Sequence, residues 1–497
     1  MEKSTKIRNV ENSIAIMVSV IFALLFGFNS PLHPWICAET GPDSSVFKTV
    51  ALMMEHGLMP YKNSFDHKGP FLYVLNWIGN RIFNYIGIWV IEIIAIGITF
   101  FVMYKIARMS CGMLASIITV LTSSSLLFVY YEGGNLSEEY AMPCIAIGIY
   151  YFLDYLMNNE ITKTRLILSG ICCGIVLMLR PNMVTVWFVY CLTITVILIF
   201  KNSIKDWTAF AIWFVVGVAI MVIPVIIWLG INHDLKYFVH DYIIFNMQYS
   251  SAEGGRALFS SKWSSFFEFF NSTIFITAFC SLVFHLKRKE KLLLVSYLLY
   301  LALTIVFMVM SGMSYAHYGM ILIPAVVYPI SLIFADIEKI SDKNTANTIL
   351  MLSSLYLLSV VIIPNWIGII SGIVTMYEKK GENHQNDVTV NITKIIDENT
   401  KEEDRISVYG NWNIIYVLSD RMHATRYSYQ FPIGQVVPKI MDEYIEDLQL
   451  ELPKAIVIQP GRYDDTIKTF LKNNNYHLYY LSEKEDINSG ALLFFKQ

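Results

Sequence analysis

The sequence predicts a polytopic α-helical membrane protein of about eleven transmembrane helices with a small C-terminal α/β domain. Three observations predict it. The 497 residues are 55% hydrophobic and only 15% charged, against about 25% charged in an ordinary soluble domain, and mean hydropathy is +0.49. Apolar runs of spanning length recur between residues 13 and 370. Beyond that point the chain turns polar, and short β-rich runs replace the long apolar ones. A net charge of −3 offers no strongly basic face, so nucleic acid is not an expected partner.

The spans are expected near 13–30, 84–104, 111–130, 139–157, 165–179, 183–200, 208–230, 272–286, 292–311, 317–335 and 346–370. A helix needs roughly 20 apolar residues to cross, and two of these fall short. The first run, SIAIMVSVIFALLFGF from Ser13, has no small-x-small cleavage site behind it and reads as a retained span. The pair 165–179 and 183–200 meets at Arg180-Pro181-Asn182. Pro181 removes a donor and favours a break, so the pair reads as a helical hairpin. Six of the seven cysteines lie in or beside apolar runs, with no Cys-x-x-Cys spacing. They read as small buried hydrophobes.

Lys and Arg in the short loops set the orientation. Lys3, Lys6 and Arg8 precede the first span, and every second connection is basic, from Lys105 and Arg108 to LKRKEK at 286–291 and Lys339 with Lys343. The alternate short loops, GGNLSEE and SGMSYAH, have neither residue. The expectation is an integral membrane protein with a cytoplasmic N-terminus and an extracytoplasmic C-terminal domain. Residues 1–370 then form the transmembrane module, with an outer loop at 31–83 and a second outer segment near 231–271. Residues 371–497 form a soluble α/β domain. There RISVYG, IIYVLS, KAIVIQP, HLYYLS and ALLFFK read as strands and VPKIMDEYIEDLQL as a helix. No Gly-rich phosphate loop or internal repeat is present.

The unusual polar residues fall on the outer side of this topology. Glu39 and Asp43 lie in AETGPDSSVF, and Asp66, His67 and Lys68 in FDHKGP. Glu138 and Glu139 lie in GGNLSEEYAMP, Arg180 tops the hairpin, Asn246 follows His240 and Asp241 in HDYIIFNMQY, and His317 lies in SYAHYGM. Ionisable groups near membrane depth are expensive, so a convergent set marks a functional site. Carboxylates can take a proton from a hydroxyl or hold a divalent cation. Lysine and arginine can stabilise a leaving phosphate. Each residue also has a plainer reading. Asp43 suits a helix N-cap, Lys68 a snorkelling interface lysine, Arg180 a headgroup partner, and Glu139 a solvated loop charge. His67 and His317 suit interfacial histidines. The segments 43–57 and 68–82 read as amphipathic helices at the membrane interface.

The stretch DSSVFKTVALMMEHGLMPYKNSFDHKGPFLYVLNW resembles the GT-C superfamily of membrane glycosyltransferases, in the branch of protein O-mannosyltransferases and bacterial aminoarabinose transferases. The matching positions are Asp43, Gly57, Pro60-Tyr61, Asp66, Lys68 and Pro70. The stretches NLSEEYAMP, YAHYGMILIP and VYGNWNIIYVLSDRMHATRYSYQFP resemble the same family. The resemblance implies a sugar donor on a polyprenyl phosphate, a hydroxyl acceptor, and inverting transfer at the outer face of a bacterial cytoplasmic membrane. It makes Asp43 the candidate base and Lys68 and Arg180 the candidates for the donor phosphate; Glu39, Glu138, Asn246 and His317 are further site candidates by their place among the outer polar residues. It also implies a divalent metal (Mg2+, Mn2+ or Zn2+) at the acidic position before the lysine. The family often has Glu directly before Lys, whereas here His67 intervenes after Asp66, so either is the candidate ligand. Two other classes stay open: a transporter or flippase of lipid-linked sugars, for which Glu92 is the main mid-span charge, and a polysaccharide polymerase or ligase using a lipid-pyrophosphate donor.

Overall fold

The computed structural model describes residues 2–34, 41–82, 86–159, 162–249, 273–286, 291–309, 315–378, 386–431, 433–483 and 487–497. The chain falls into two compact units, each built from three stretches. One is Met1–Ser30, Trp89–Val225 and Arg256–Lys379, and the other is Pro31–Ile88, Ile226–Gly255 and Lys380–Gln497. This grouping does not follow a cut at residue 370.

The first unit is helical. Among the described residues, eight helices of the chain are long and apolar enough to cross a membrane: Asn9–Gly27, Ile86–Ala107, Met113–Tyr130, Ser137–Asn158, Ile204–Ile231, Lys291–Val309, Ala316–Glu338 and Lys343–Thr375. The other three expected spans are also helical, but Lys163–Leu177, Thr185–Phe200 and Thr273–His285 have only 15, 16 and 13 residues. The count of eleven therefore differs from eight by helix length. The expected hairpin break is present, with Arg180 extended and Pro181 opening a short 3-10 turn.

Two glycines set one helix contact in this unit. A Cβ at Gly217 would stand 2.2 Å from the Ile167 carbonyl oxygen, and one at Gly170 would stand 2.2 Å from that of Phe214. Only hydrogen fits between these backbones, the usual device for close approach in a membrane. Polar side chains add bonds between helices, as in Thr185 with Thr304 at 2.7 Å and His285 Nε2 with Asp336 at 2.8 Å. Ile212, Val215, Ile220 and Ile223 of Ile204–Ile231 stay exposed, as a lipid-facing surface requires.

The second unit carries a four-stranded sheet. Its strands are β1 (Ile406–Tyr409), β2 (Ala455–Ile458), β3 (Tyr476–Leu481) and β4 (Leu492–Lys496), in the order β1-β2-β4-β3. β1 and β2 run parallel, and the other pairs are antiparallel. Every residue of β1 and β2 is buried, because helices cover the sheet. Ile392 and Ile396 of the Asp387–Asn399 helix pack on Ile406, Val408, Val457 and Leu493.

Four of the five expected strands are therefore present, but IIYVLS is a helix, Ile414–Ser419. Five apolar residues and a serine carry no period that separates the two states. The chain turns at Trp412-Asn413, and Ile415 and Tyr416 enter the core. The Tyr416 hydroxyl then accepts from the Val408 amide of β1 at 2.7 Å. Asp420, at φ 49°, ends the helix. The helix expected at 437–450 is Lys439–Glu451. The first long loop folds in this unit too. Its helices Pro42–Glu55 and Pro70–Arg81 pack together, and Pro42–Glu55 packs on Ile414–Ser419, where Thr49 donates to the Asn413 carbonyl at 3.3 Å.

Candidate functional site

Gly41 caps the Pro42–Glu55 helix without a side-chain bond, Pro42 follows, and Asp43 is the second helical residue. The N-cap reading of Asp43 is thus corrected, because Pro42 has already set the helix start. Asp43 makes no hydrogen bond or ion pair among the described residues. It is partly exposed, and the positive end of the helix dipole favours its charge. Its carboxylate adds to the field that discourages ionisation of Tyr429, after burial and Asp66.

FDHKGP is held from three directions within the second unit. The Phe65 amide donates to the Arg426 carbonyl at 2.8 Å. Asp66 accepts from Tyr73 OH at 2.7 Å through Oδ2 and from Tyr429 OH at 2.9 Å through Oδ1. Asn246 Nδ2 donates to the His67 carbonyl at 2.7 Å. Tyr61 OH and Tyr73 OH both point at the Lys68 carbonyl, at 2.9 and 3.1 Å. Pro70 then starts a 12-residue helix with Gly69 as its cap. The Lys68 backbone is fixed at a helix N-terminus, a place suited to anions.

The Lys68 side chain is only 8% exposed, yet its ammonium makes no ion pair or hydrogen bond among the described residues. A buried charge without a partner is costly. Asp66 stands two positions away, but its oxygens are given to phenols. The snorkelling reading of Lys68 does not describe this enclosed position. His67 stacks on Tyr249 with ring centroids 5.6 Å apart, and its Nδ1 lies 3.6 Å from Asp66 Oδ1.

Charged groups brace the same segment. Arg426 donates through Nε to the Tyr61 carbonyl at 3.1 Å and through Nη2 to Asp241 at 2.5 Å. Asp234 accepts from the Lys62 amide at 2.6 Å. Burial raises the Asp241 carboxyl and lifts that of Asp234 to about 6. His423, buried against Ser64 at 3.0 Å, is pulled down to about 4 by desolvation.

Asp43, Asp66, His67, Lys68 and Asn246 thus share one unit, while Glu138, Arg180 and His317 share the other. There Arg180 pairs with Glu138 at 2.5 Å and lies over the Tyr318 ring at 4.2 Å. His317 bonds Glu132 through Nδ1 and meets Tyr318 edge to face. Glu139 is fully buried and accepts from the Asn135 amide at 2.9 Å, which corrects its reading as a solvated charge. Glu39 lies outside the described residues. Sequence reasoning missed Tyr73, Tyr429, Asp234 and Arg426 as site residues. Aromatic residues read as packing, and nothing local tells that a phenol hydroxyl will meet a carboxylate.

A divalent cation is implied by the family resemblance. The second unit supplies Asp66 and His67, and both oxygens of Asp66 already accept phenol protons. No group of three His, Cys, Asp or Glu converges among the described residues. These residues as they stand do not fit a metal centre, and no step below runs through one.

The apolar helices define an integral membrane protein, and its fold is similar to those of membrane glycosyltransferases of known structure. ArnT from Cupriavidus metallidurans bound to undecaprenyl phosphate is 13% identical, with a TM-score of 0.60 over 96% of this chain and 97% of that one. The same protein in the apo state gives 12% and 0.56, over 97% and 98%. The Archaeoglobus fulgidus oligosaccharyltransferase complex with Zn and sulfate gives 11% and 0.51, over 97% of this chain and 73% of that one. Residues 1–351 match the family described as "Putative competence-induced protein Ccs4 N-terminal domain", and the chain belongs to that family. No curated protein matches the sequence.

Proposed function

We propose that this protein is an inverting glycosyltransferase that moves a sugar from a polyprenyl phosphate to an acceptor hydroxyl at the outer face of a bacterial cytoplasmic membrane. The observation that carries the reading is Lys68, an enclosed ammonium with a pinned backbone and no counter-charge among the described residues. Such a group suits a ligand that brings its own negative charge. The GT-C fold and the undecaprenyl phosphate carried by one of the similar structures support the same donor class.

The chemistry follows from the unit that holds Asp43 and Lys68. Asp43, which has no partner among the described residues, takes the proton of the acceptor hydroxyl as its oxygen attacks the anomeric carbon. The new C–O bond forms opposite the bond to phosphate, which breaks with its electron pair. Polyprenyl phosphate leaves, and Lys68 at the helix N-terminus stabilises the charge that develops on it. The proton stays on Asp43 until solvent removes it. A lipid phosphate is an activated leaving group, so no nucleotide-binding domain is needed.

The test is transfer by the purified full chain in detergent, with synthetic polyprenyl-phosphate sugars and a crude membrane acceptor. Transfer by the wild type that is lost in Asp43→Asn and in Lys68→Met supports the reading. Failure of the wild type to use any such donor overturns it and favours a lipid-pyrophosphate donor or transport. Full activity in Asp43→Asn removes Asp43 as the base.

A further inference from the structure

Asp66 and Lys68 are opposite charges two positions apart, both nearly enclosed, and they do not pair. Simple electrostatics favours a pair at such separations when water is excluded. The reason for its absence lies in two phenols. Tyr73 OH takes Asp66 Oδ2 at 2.7 Å, and Tyr429 OH takes Oδ1 at 2.9 Å. Both rings are buried, and each phenol is held in its protonated form by burial and by the Asp66 charge itself. They are therefore dependable donors. Tyr73 OH also lies 3.1 Å from the Lys68 carbonyl, which accepts from Tyr61 OH at 2.9 Å.

We propose that Tyr429, with Tyr73, is a positioning residue that keeps Asp66 from neutralising Lys68, so that the ammonium stays available to an anionic donor. This inference rests on the reading of Lys68 as the donor-phosphate group. It assigns the stretch RYSYQFP of the tail a part in donor binding and makes donor affinity depend on a hydroxyl that never touches the donor. Loss of the Tyr429 hydroxyl frees Asp66 Oδ1. The oxygen then turns to a nearby cation, and Lys68 has no partner among the described residues.

The experiment measures binding of a polyprenyl phosphate to the full-length protein in detergent at pH 8, above the ordinary titration range of histidine. Tyr429→Phe is expected to raise Kd about tenfold, the effect of a modest charge pair formed in competition with the ligand. Asp66→Asn added to Tyr429→Phe is expected to restore most of that loss, because the competing charge is gone. A merely structural role for Tyr429 predicts no such rescue. Tyr73→Phe, with and without Asp66→Asn, repeats the test on the second oxygen in case Tyr429→Phe folds poorly. Wild-type affinity in Tyr429→Phe, or a loss that Asp66→Asn does not repair, overturns the inference. If Lys68→Met still loses binding in that case, the functional reading stands. If the wild type itself binds no polyprenyl phosphate, both fall.

Discussion

Arg426 Nη2 donates to Asp241 Oδ2 at 2.5 Å across 185 positions of sequence. The carboxylate is fully enclosed and the guanidinium is 18% exposed. Asp241's other partner, His240 at 2.8 Å, is mostly in solvent. Breaking a buried pair from one side leaves an uncompensated charge, at a cost of about 3 kcal/mol. Arg426→Ala is therefore expected to lower the melting temperature of the full chain. Arg426→Lys is expected to recover part of the loss, since it keeps the charge but not the second bond to the Tyr61 carbonyl. Thermal unfolding in detergent checks both.

Asp234 gives a dependence on pH. Its folded carboxyl titrates near 6 because burial outweighs the bond from the Lys62 amide. An unfolded aspartate titrates near 3.9. The folded chain thus binds more protons between these values, and Asp234 favours folding most below about 4. That contribution is lost as pH rises through 6, and is on the order of 3 kcal/mol. Asp234→Asn is expected to flatten the stability curve between about pH 4 and pH 6, read by unfolding at each pH.

Gly217 is a steric prediction. Its place against the Ile167 carbonyl admits hydrogen only. Gly217→Val is expected to separate the two helices and cost about 2 kcal/mol or more. Gly230, with nothing within 4 Å of an added Cβ, is the control position. Retention of monodisperse protein on heating in detergent distinguishes them.

Asp43 is the kinetic prediction. Asp43→Asn is expected to lower kcat by about 10²–10⁴-fold and leave polyprenyl phosphate affinity nearly unchanged, since the residue acts on the acceptor. Asp43→Glu is expected to keep a small part of the activity. Single-turnover transfer beside donor binding separates the two effects.

What the sequence made legible follows the range of each signal. Span-length apolar runs are local, and all eleven stretches contain helix among their described residues. The apolar and β-branched content of KAIVIQP and ALLFFK marked strands that exist, whereas IIYVLS has similar content but is a helix whose Tyr416 hydroxyl accepts from a β1 amide. FDHKGP stood out by composition. That its Asp66 would bond Tyr73 and Tyr429 rather than Lys68 depends on where a distant segment lands, and no spacing rule records that. Pro42 did bear on Asp43, since a proline at the first helical position moves the cap back to Gly41.

The distance along the chain from Asp66 to its partner Tyr429 is 363 positions. At about 5–20 residues per second, synthesis of that interval takes roughly 20 to 70 s. FDHKGP is therefore made early and completed late. Through that interval its carboxylate lacks one of its two phenol donors and is available to Lys68. A chain released near residue 351, where the family match ends, never receives RYSYQFP. On the proposed reading, the brace around Asp66 is incomplete until RYSYQFP docks, so competence to hold a lipid donor follows that late docking step.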